Sequence, residues 1–224
     1  MTEQDWLACE NPHHALHVLW AVGNRSRRKE RLAAVAGLRH FWADFSAEQR
    51  QAIAAAERYA DGEIGSPELR AAAVRVGGGA VGTPLWAVAR VTHRQAADAL
   101  SNATTLFLRV VFGGPAYTNP PFPGARAYAE RGRPMMAVLR CVFGNPFRRV
   151  TLDRTHESFT TGALARAAYD ERRSPSGELD PERLAVLADT LEEAGASGEL
   201  MAHLRGPGPH VRGCHVVDLC LGRG

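Results

Sequence analysis

"PERLAVLADTLEEAG", residues 181–195, carries leucine or alanine at 184, 187, 188 and 191. That is the i, i+3, i+4, i+7 spacing that lines one face of an α-helix and asks to be buried against another element. Asp180 ahead of Pro181 reads as an N-cap followed by a first-turn proline, and Gly195 ends the segment. Glu182 suits the positive end of the helix dipole, while Asp189, Glu192 and Glu193 fall on the other faces and read as solvated acids rather than a catalytic cluster.

The same signals recur along the chain. Asn11-Pro12 and Ser66-Pro67 repeat the cap-plus-proline pattern, and Ser46 with Gln49 reads as a capping box for a helix that Gly62 stops. Strand character is confined to "RRVTLD", 148–153, with no alternating partner. The fold expected is therefore all-α, an irregular multi-helix bundle in two lobes with room for one short β-hairpin. "GGPAYTNPPFPG", 113–124, cannot continue a helix, so the lobes expected are 1–112 and 125–224 with 113–124 as linker.

Bulk properties narrow the function classes. The chain has 224 residues, 45% hydrophobic and 23% charged, with a net charge of +3 that is not concentrated in a polybasic tail. Four scattered cysteines, Cys9, Cys141, Cys214 and Cys220, are too few for a disulfide framework and read as reduced, which points to the cytoplasm. "MTEQDWLACENPHH" has no secretory-signal pattern, and the most apolar run, "LFLRVVF" at 106–112, is far short of the roughly 20 residues of a spanning helix. No membrane partner is expected.

Several catalytic patterns fail on context. Gly77, Gly79 and Gly82 match the letters of a dinucleotide loop, but "SPELRAAAVRV" before them reads as a helix where a strand is required. There is no G-x-S-x-G elbow, and Cys214 and His215, adjacent on a helix, point about 100° apart and cannot act as nucleophile and base. "THES", 155–158, lacks the second histidine of a zinc protease. No catalytic residue and no cofactor is expected.

Histidine and cysteine crowd the last stretch, "HLRGPGPHVRGCHVVDLCLG", 203–222. His203, His210 and Cys214 are the candidate zinc ligands, with His210 and Cys214 four apart as on one helical face, and Cys9, His13 and His17 form a second group. Neither group has C-x-x-C or H-E-x-x-H spacing, so buried cysteine beside surface histidine is the reading preferred over a metal. Gly206, Pro207, Gly208 and Pro209 make a stiff link, after which Pro209 is expected to open a last helix running to Gly222. Its free N–H groups, with Arg205, His210 and Arg212, would make an anion-binding face.

The remaining handle is basic. Arg25, Arg27, Arg28, Lys29 and Arg31 crowd an expected helix start, where the dipole disfavours cations, so a compensating anion is expected. From 124 to 154 seven arginines, Arg148 and Arg149 among them, face only Glu130 and Asp153, with Tyr128, Phe143 and Phe147 interspersed. Such a surface would take an acidic protein partner or, alternatively, nucleic acid.

"GNPFRRVTLD" (144–153), "AAYDERR" (167–173), "LAVLADTLEEAG" (184–195) and the 203–222 stretch together resemble a large paralogous family of uncharacterised bacterial proteins. The opening "MTEQDWLAC" and "AERYADGE" (56–63) fit the same pattern. The resemblance implies no activity, cofactor or catalytic residue. "LADTLEEAG" is similar to a helical motif of modules that accompany leucine-rich repeats, which implies protein interaction. Arg149 stands where that pattern has proline and His215 where it has tryptophan, so a packing role is implied at 215. The expectation that results is a non-enzymatic, cytoplasmic helical interaction module, with a nucleic-acid-binding protein and a zinc-stabilised helical domain as the alternatives.

Overall fold

A computed structural model describes residues 2–23, 26–77, 84–93, 99–105, 125–148, 150–152 and 159–223. The fold is all-α. Its helices are α1 (Glu3–Ala8), α2 (Pro12–Ala21), α3 (Arg27–Arg39), α4 (Ala47–Ala60), α5 (Ser66–Val76), α6 (Pro84–Val91), α7 (Ala125–Phe143), α8 (Phe159–Asp170), α9 (Pro181–Glu193), α10 (Gly198–Leu204) and α11 (His215–Cys220). A 3-10 turn, Trp42–Asp44, follows α3, and residues 99–105 are also helical.

The caps read from the sequence fall where local chemistry puts them. Asn11 accepts from the backbone N–H of His13 and His14, Asp180 from that of Glu182, and Ser46 and Gln49 close a reciprocal box. One cap moves by a residue. Gly65 is the N-cap of α5, and Ser66 is its first helical residue, with its hydroxyl 3.4 Å from Tyr59 Oη. Gly62, at φ +75°, takes the left-handed angle that ends α4.

The chain divides into two compact units, Met1–Met136 and Ala137–Gly224. The division falls inside α7, beyond the Pro/Gly-rich stretch 113–124, which lies outside the described residues. In the first unit α3, α4, α5 and α6 pack on one another around Leu32, Leu38, Ile53 and Leu69, all essentially sealed from water. In the second unit α9 packs against α8 and α10, and α11 closes on both of those helices. The stripe Leu184, Leu187, Ala188 and Leu191 is fully buried, and each leucine so sealed contributes about 1.5–3 kcal/mol.

Two expectations about the second unit change. Arg148 and residues 150–152 form no strand. Pairing instead consists of two isolated antiparallel bridges, Arg172 with Leu179 and Glu178 with Val211. The last helix begins at His215 rather than at Pro209, because Gly213, inside the expected helix, takes a φ of +86° that no α-helix can contain. No described helix is long and apolar enough to cross a membrane.

Leu187→Ala is expected to lower unfolding free energy by about 2–5 kcal/mol, the cost of an unfilled cavity under α9. Urea denaturation followed by circular dichroism measures it, and the solvent-facing Val186→Ala should change stability by under about 0.5 kcal/mol.

Candidate metal centre

The structure distributes the expected basic residues among internal partners. Arg31 is buried: its guanidinium donates to the carbonyls of Val91 and His93 at the C-terminal end of α6 and lies 5.1 Å from the Tyr59 ring centroid. Carbonyls left open by a helix end are a natural seat for a cation, so the compensating negative charge comes from the protein itself. Arg28 Nε pairs with Asp61 at 2.9 Å, Lys29 is half-buried and Arg27 is exposed. Arg148 is exposed as well. Arg25, Arg149 and Arg154 lie outside the described residues.

The helix expected from Pro209 does not start there, since residues 209–214 are not helical, so no helix N-terminus at Pro209 groups its N–H donors with Arg205, His210 and Arg212. Arg205 instead donates to both Asp189 and Glu192 on α9, and those contacts raise its pKa further above the usual guanidinium range. Arg212 is buried, with its guanidinium 4.9 Å from the Tyr169 ring centroid and 3.8 Å from Asp170. Both arginines are structural ties of the second unit.

His210, the remaining member of that group, belongs to another constellation. Cys141, His203, His210 and Cys214 bring two sulfurs and two imidazole nitrogens within 4.8 Å of one another. Each comes from a different local structure. Cys141 is in the last turn of α7, His203 is near the end of α10, His210 is in the loop, and Cys214 is the N-cap of α11. The loop is held by the neighbouring segment: Leu179 N–H donates to the His210 carbonyl at 2.8 Å, and Val211 N–H donates to Cys141 Sγ at 3.4 Å. His210 and Cys214 thus converge without sharing the helical face the spacing suggested.

Hydrogen bonding sets the imidazole tautomers. His210 Nε2 lies 3.3 Å from the Gly206 carbonyl oxygen, which can only accept, so Nε2 carries the proton. Its Nδ1, buried and without a hydrogen-bond partner, is then left with a lone pair in the cluster. That is the usual arrangement of a ligand histidine, one nitrogen on a carbonyl and the other open to a metal. His203 Nε2 is 3.3 Å from Cys214 Sγ.

The two thiols are driven apart electrostatically. Burial, and then the hydrogen bond and charge of Cys214, push the Cys141 thiol well above its ordinary value. Burial also pushes Cys214 up, but interaction with Cys141, His203 and His210 outweighs it and holds that thiol well below the ordinary range. The Cys214 sulfur is thereby biased toward the thiolate, the form that binds a metal. A divalent cation would displace the remaining thiol protons and satisfy both sulfurs. Cys220 stays outside the cluster, its thiol pushed up to about 12 by burial and by the nearby Cys214.

The sequence named His203, His210 and Cys214 and missed Cys141, which precedes its contact Val211 by 70 residues. No short-range pattern carries that pairing. The other group, Cys9, His13 and His17, does not assemble in this way: Cys9 Sγ donates to the Asn11 carbonyl at 3.3 Å, and His13 is kept below its usual pKa by burial and by His17. No protein-family model, no curated protein and no solved structure matches the chain.

Gly144 packs at the foot of this centre with φ +63°, and a Cβ there would stand 2.9 Å from His215 Cδ2. Gly222 has φ +64° and nothing within 4 Å of its position. Both alanine substitutions should cost the left-handed penalty of about 1–2 kcal/mol, and Gly144→Ala should cost more by the His215 contact. Urea unfolding of the two variants side by side reads the difference.

Proposed function

We propose that this protein is a zinc-stabilised helical domain, with Cys141, His203, His210 and Cys214 as the four ligands, acting as a binding module rather than as a catalyst. The observation that carries the reading is the convergence of two cysteines and two histidines within 4.8 Å, three of the four buried. Mixed thiolate and imidazole donors suit zinc above calcium or magnesium, which prefer oxygen. Zinc–sulfur bonds of about 2.3 Å and zinc–nitrogen bonds of about 2.0–2.1 Å space tetrahedral ligands roughly 3.3–3.8 Å apart, so closing on the ion takes about 1 Å of movement.

Four protein ligands fill that shell and leave no open position for a water or a substrate, which is the mark of a structural site. What such a site supplies is rigidity. It would tie the end of α7, α10, the 206–214 loop and the start of α11 into one body, with the outer face of α9 presented to a partner. The resemblance of "LADTLEEAG" to a motif found beside leucine-rich repeats supports a protein as that partner. A reducing compartment such as the cytoplasm keeps both thiols available to the metal. The nucleic-acid alternative draws less support, because Arg28, Arg31, Arg205 and Arg212 have partners within the protein.

Elemental analysis of the purified full chain is expected to find one zinc per molecule. Cys214→Ala and Cys141→Ala should lose it, and Cys220→Ala should keep it. With free zinc at about 100 times its dissociation constant, removing the metal with a strong chelator should cost about 2.7 kcal/mol of stability. A reduced protein that neither retains zinc nor gains thermal stability when zinc is added overturns the reading.

A further inference from the structure

We infer that His215 is a positioning residue for the metal centre, bracing Cys141 and His203 from outside without ligating the ion. The inference rests on the reading of Cys141, His203, His210 and Cys214 as ligands and goes beyond it in assigning what keeps them at their separation. His215 is adjacent in sequence to the ligand Cys214 but does not belong to the four-residue cluster.

Three contacts define its place. His215 Nδ1 lies 2.9 Å from the carbonyl oxygen of Cys141. A carbonyl only accepts, so Nδ1 carries the proton and donates, and the bond fixes the main chain from which the Cys141 sulfur projects. The imidazole ring lies against that of His203, with centroids 4.3 Å apart and planes tilted by 57°. Its Cδ2 and Cγ also lie against Gly144, where even one added carbon would stand at 2.9–3.0 Å.

The end of a helix is where Cys141 gains from such a brace. It sits in the last turn of a helix, where α-helical carbonyls lose their intrahelical partners. The Cys141 carbonyl is one of those groups, and the His215 N–H satisfies it. His203 and His215 are both half-buried, whereas Cys141, His210 and Cys214 are buried. The His203–His215 ring pair therefore covers the solvent side of the centre. Removing it would loosen one sulfur ligand through the backbone and one nitrogen ligand through its ring, and outer partners of this kind typically govern metal affinity by 10–100-fold.

The test uses the full chain loaded with cobalt(II), whose visible absorption reports thiolate ligation, titrated against a competing chelator. His215→Phe keeps a ring but no donor. His215→Asn places an amide N–H near the position of Nδ1. The phenylalanine variant is expected to hold metal roughly 10–100-fold more weakly than wild type with a shifted cobalt spectrum, and the asparagine variant to recover most of the loss. In chelator the asparagine variant should stay close to metal-free wild type and the phenylalanine variant should lose no more than the one hydrogen bond to the Cys141 carbonyl, which separates a positioning role from general packing.

Phenylalanine and asparagine variants that bind like wild type, or that lose affinity equally, overturn the inference. If the phenylalanine variant does not fold, 15N spectra of the wild-type imidazoles decide: zinc should shift His203 and His210 and leave His215 Nδ1 protonated. A metal-induced coordination shift at His215 overturns the inference too. Wild-type protein that binds no metal at all fails the ligand assignment instead, so the two outcomes are distinguishable.

Discussion

Two cysteine sulfurs and two histidine nitrogens, each carried by a different piece of chain, meet within 4.8 Å in the second unit, and that convergence constrains the segments that bring them together. Cys214 is completely sealed from water, yet its neighbours hold its thiol well below the ordinary range. Desolvation of an isolated charge would cost several kcal/mol. Two imidazoles and a second thiol would offset that cost for a Cys214 thiolate. Movement of any one segment would strand the sulfur, so the helix end, the loop and the final short helix are constrained together.

The rest of the unit serves to keep those segments in place. The isolated bridges at Arg172, Glu178, Leu179 and Val211 carry the loop past Cys141, and the sealed face of α9 backs α8 and α10. The guanidinium groups of Arg212 and Arg223 lie over the ring of Tyr169, buried on α8, at 4.9 and 4.8 Å from its centroid. Arg205 ties the residue after α10 to the acids of α9, although those groups are exposed and such pairs contribute little. Packing and cation–π contacts thus set the frame, and the cysteine–histidine cluster sets the position of the chain within it.

The first unit shows the same economy with charge on a different scale. A run of cations at the start of α3 is electrostatically awkward in isolation. In the folded chain Arg28 meets Asp61 beyond the end of α4 and Arg31 meets the carbonyls at the end of α6, while at the other end of α3 Arg39 meets the buried Glu57 at 3.0 Å. What reads along the chain as an exposed basic patch is in large part the chain's own internal wiring. Charges counted by sequence neighbourhood leave these partners out, because they sit on other helices.

Local features were legible in advance because their physics is local. The stripe at 184, 187, 188 and 191, the caps at Asn11, Ser46 and Asp180, and the stop at Gly62 depend on atoms within a turn or so, and the sequence by itself determined them. It also determined that the fold would be helical and which late histidines and cysteine carry metal-type donors. Only tertiary structure decided that Cys141 joins them, that Arg28 turns to an acid 33 residues away, and that the loop rather than a helix presents His210. Those outcomes depend on which apolar faces dock, and a contact made between distant helices leaves no periodic trace along the chain.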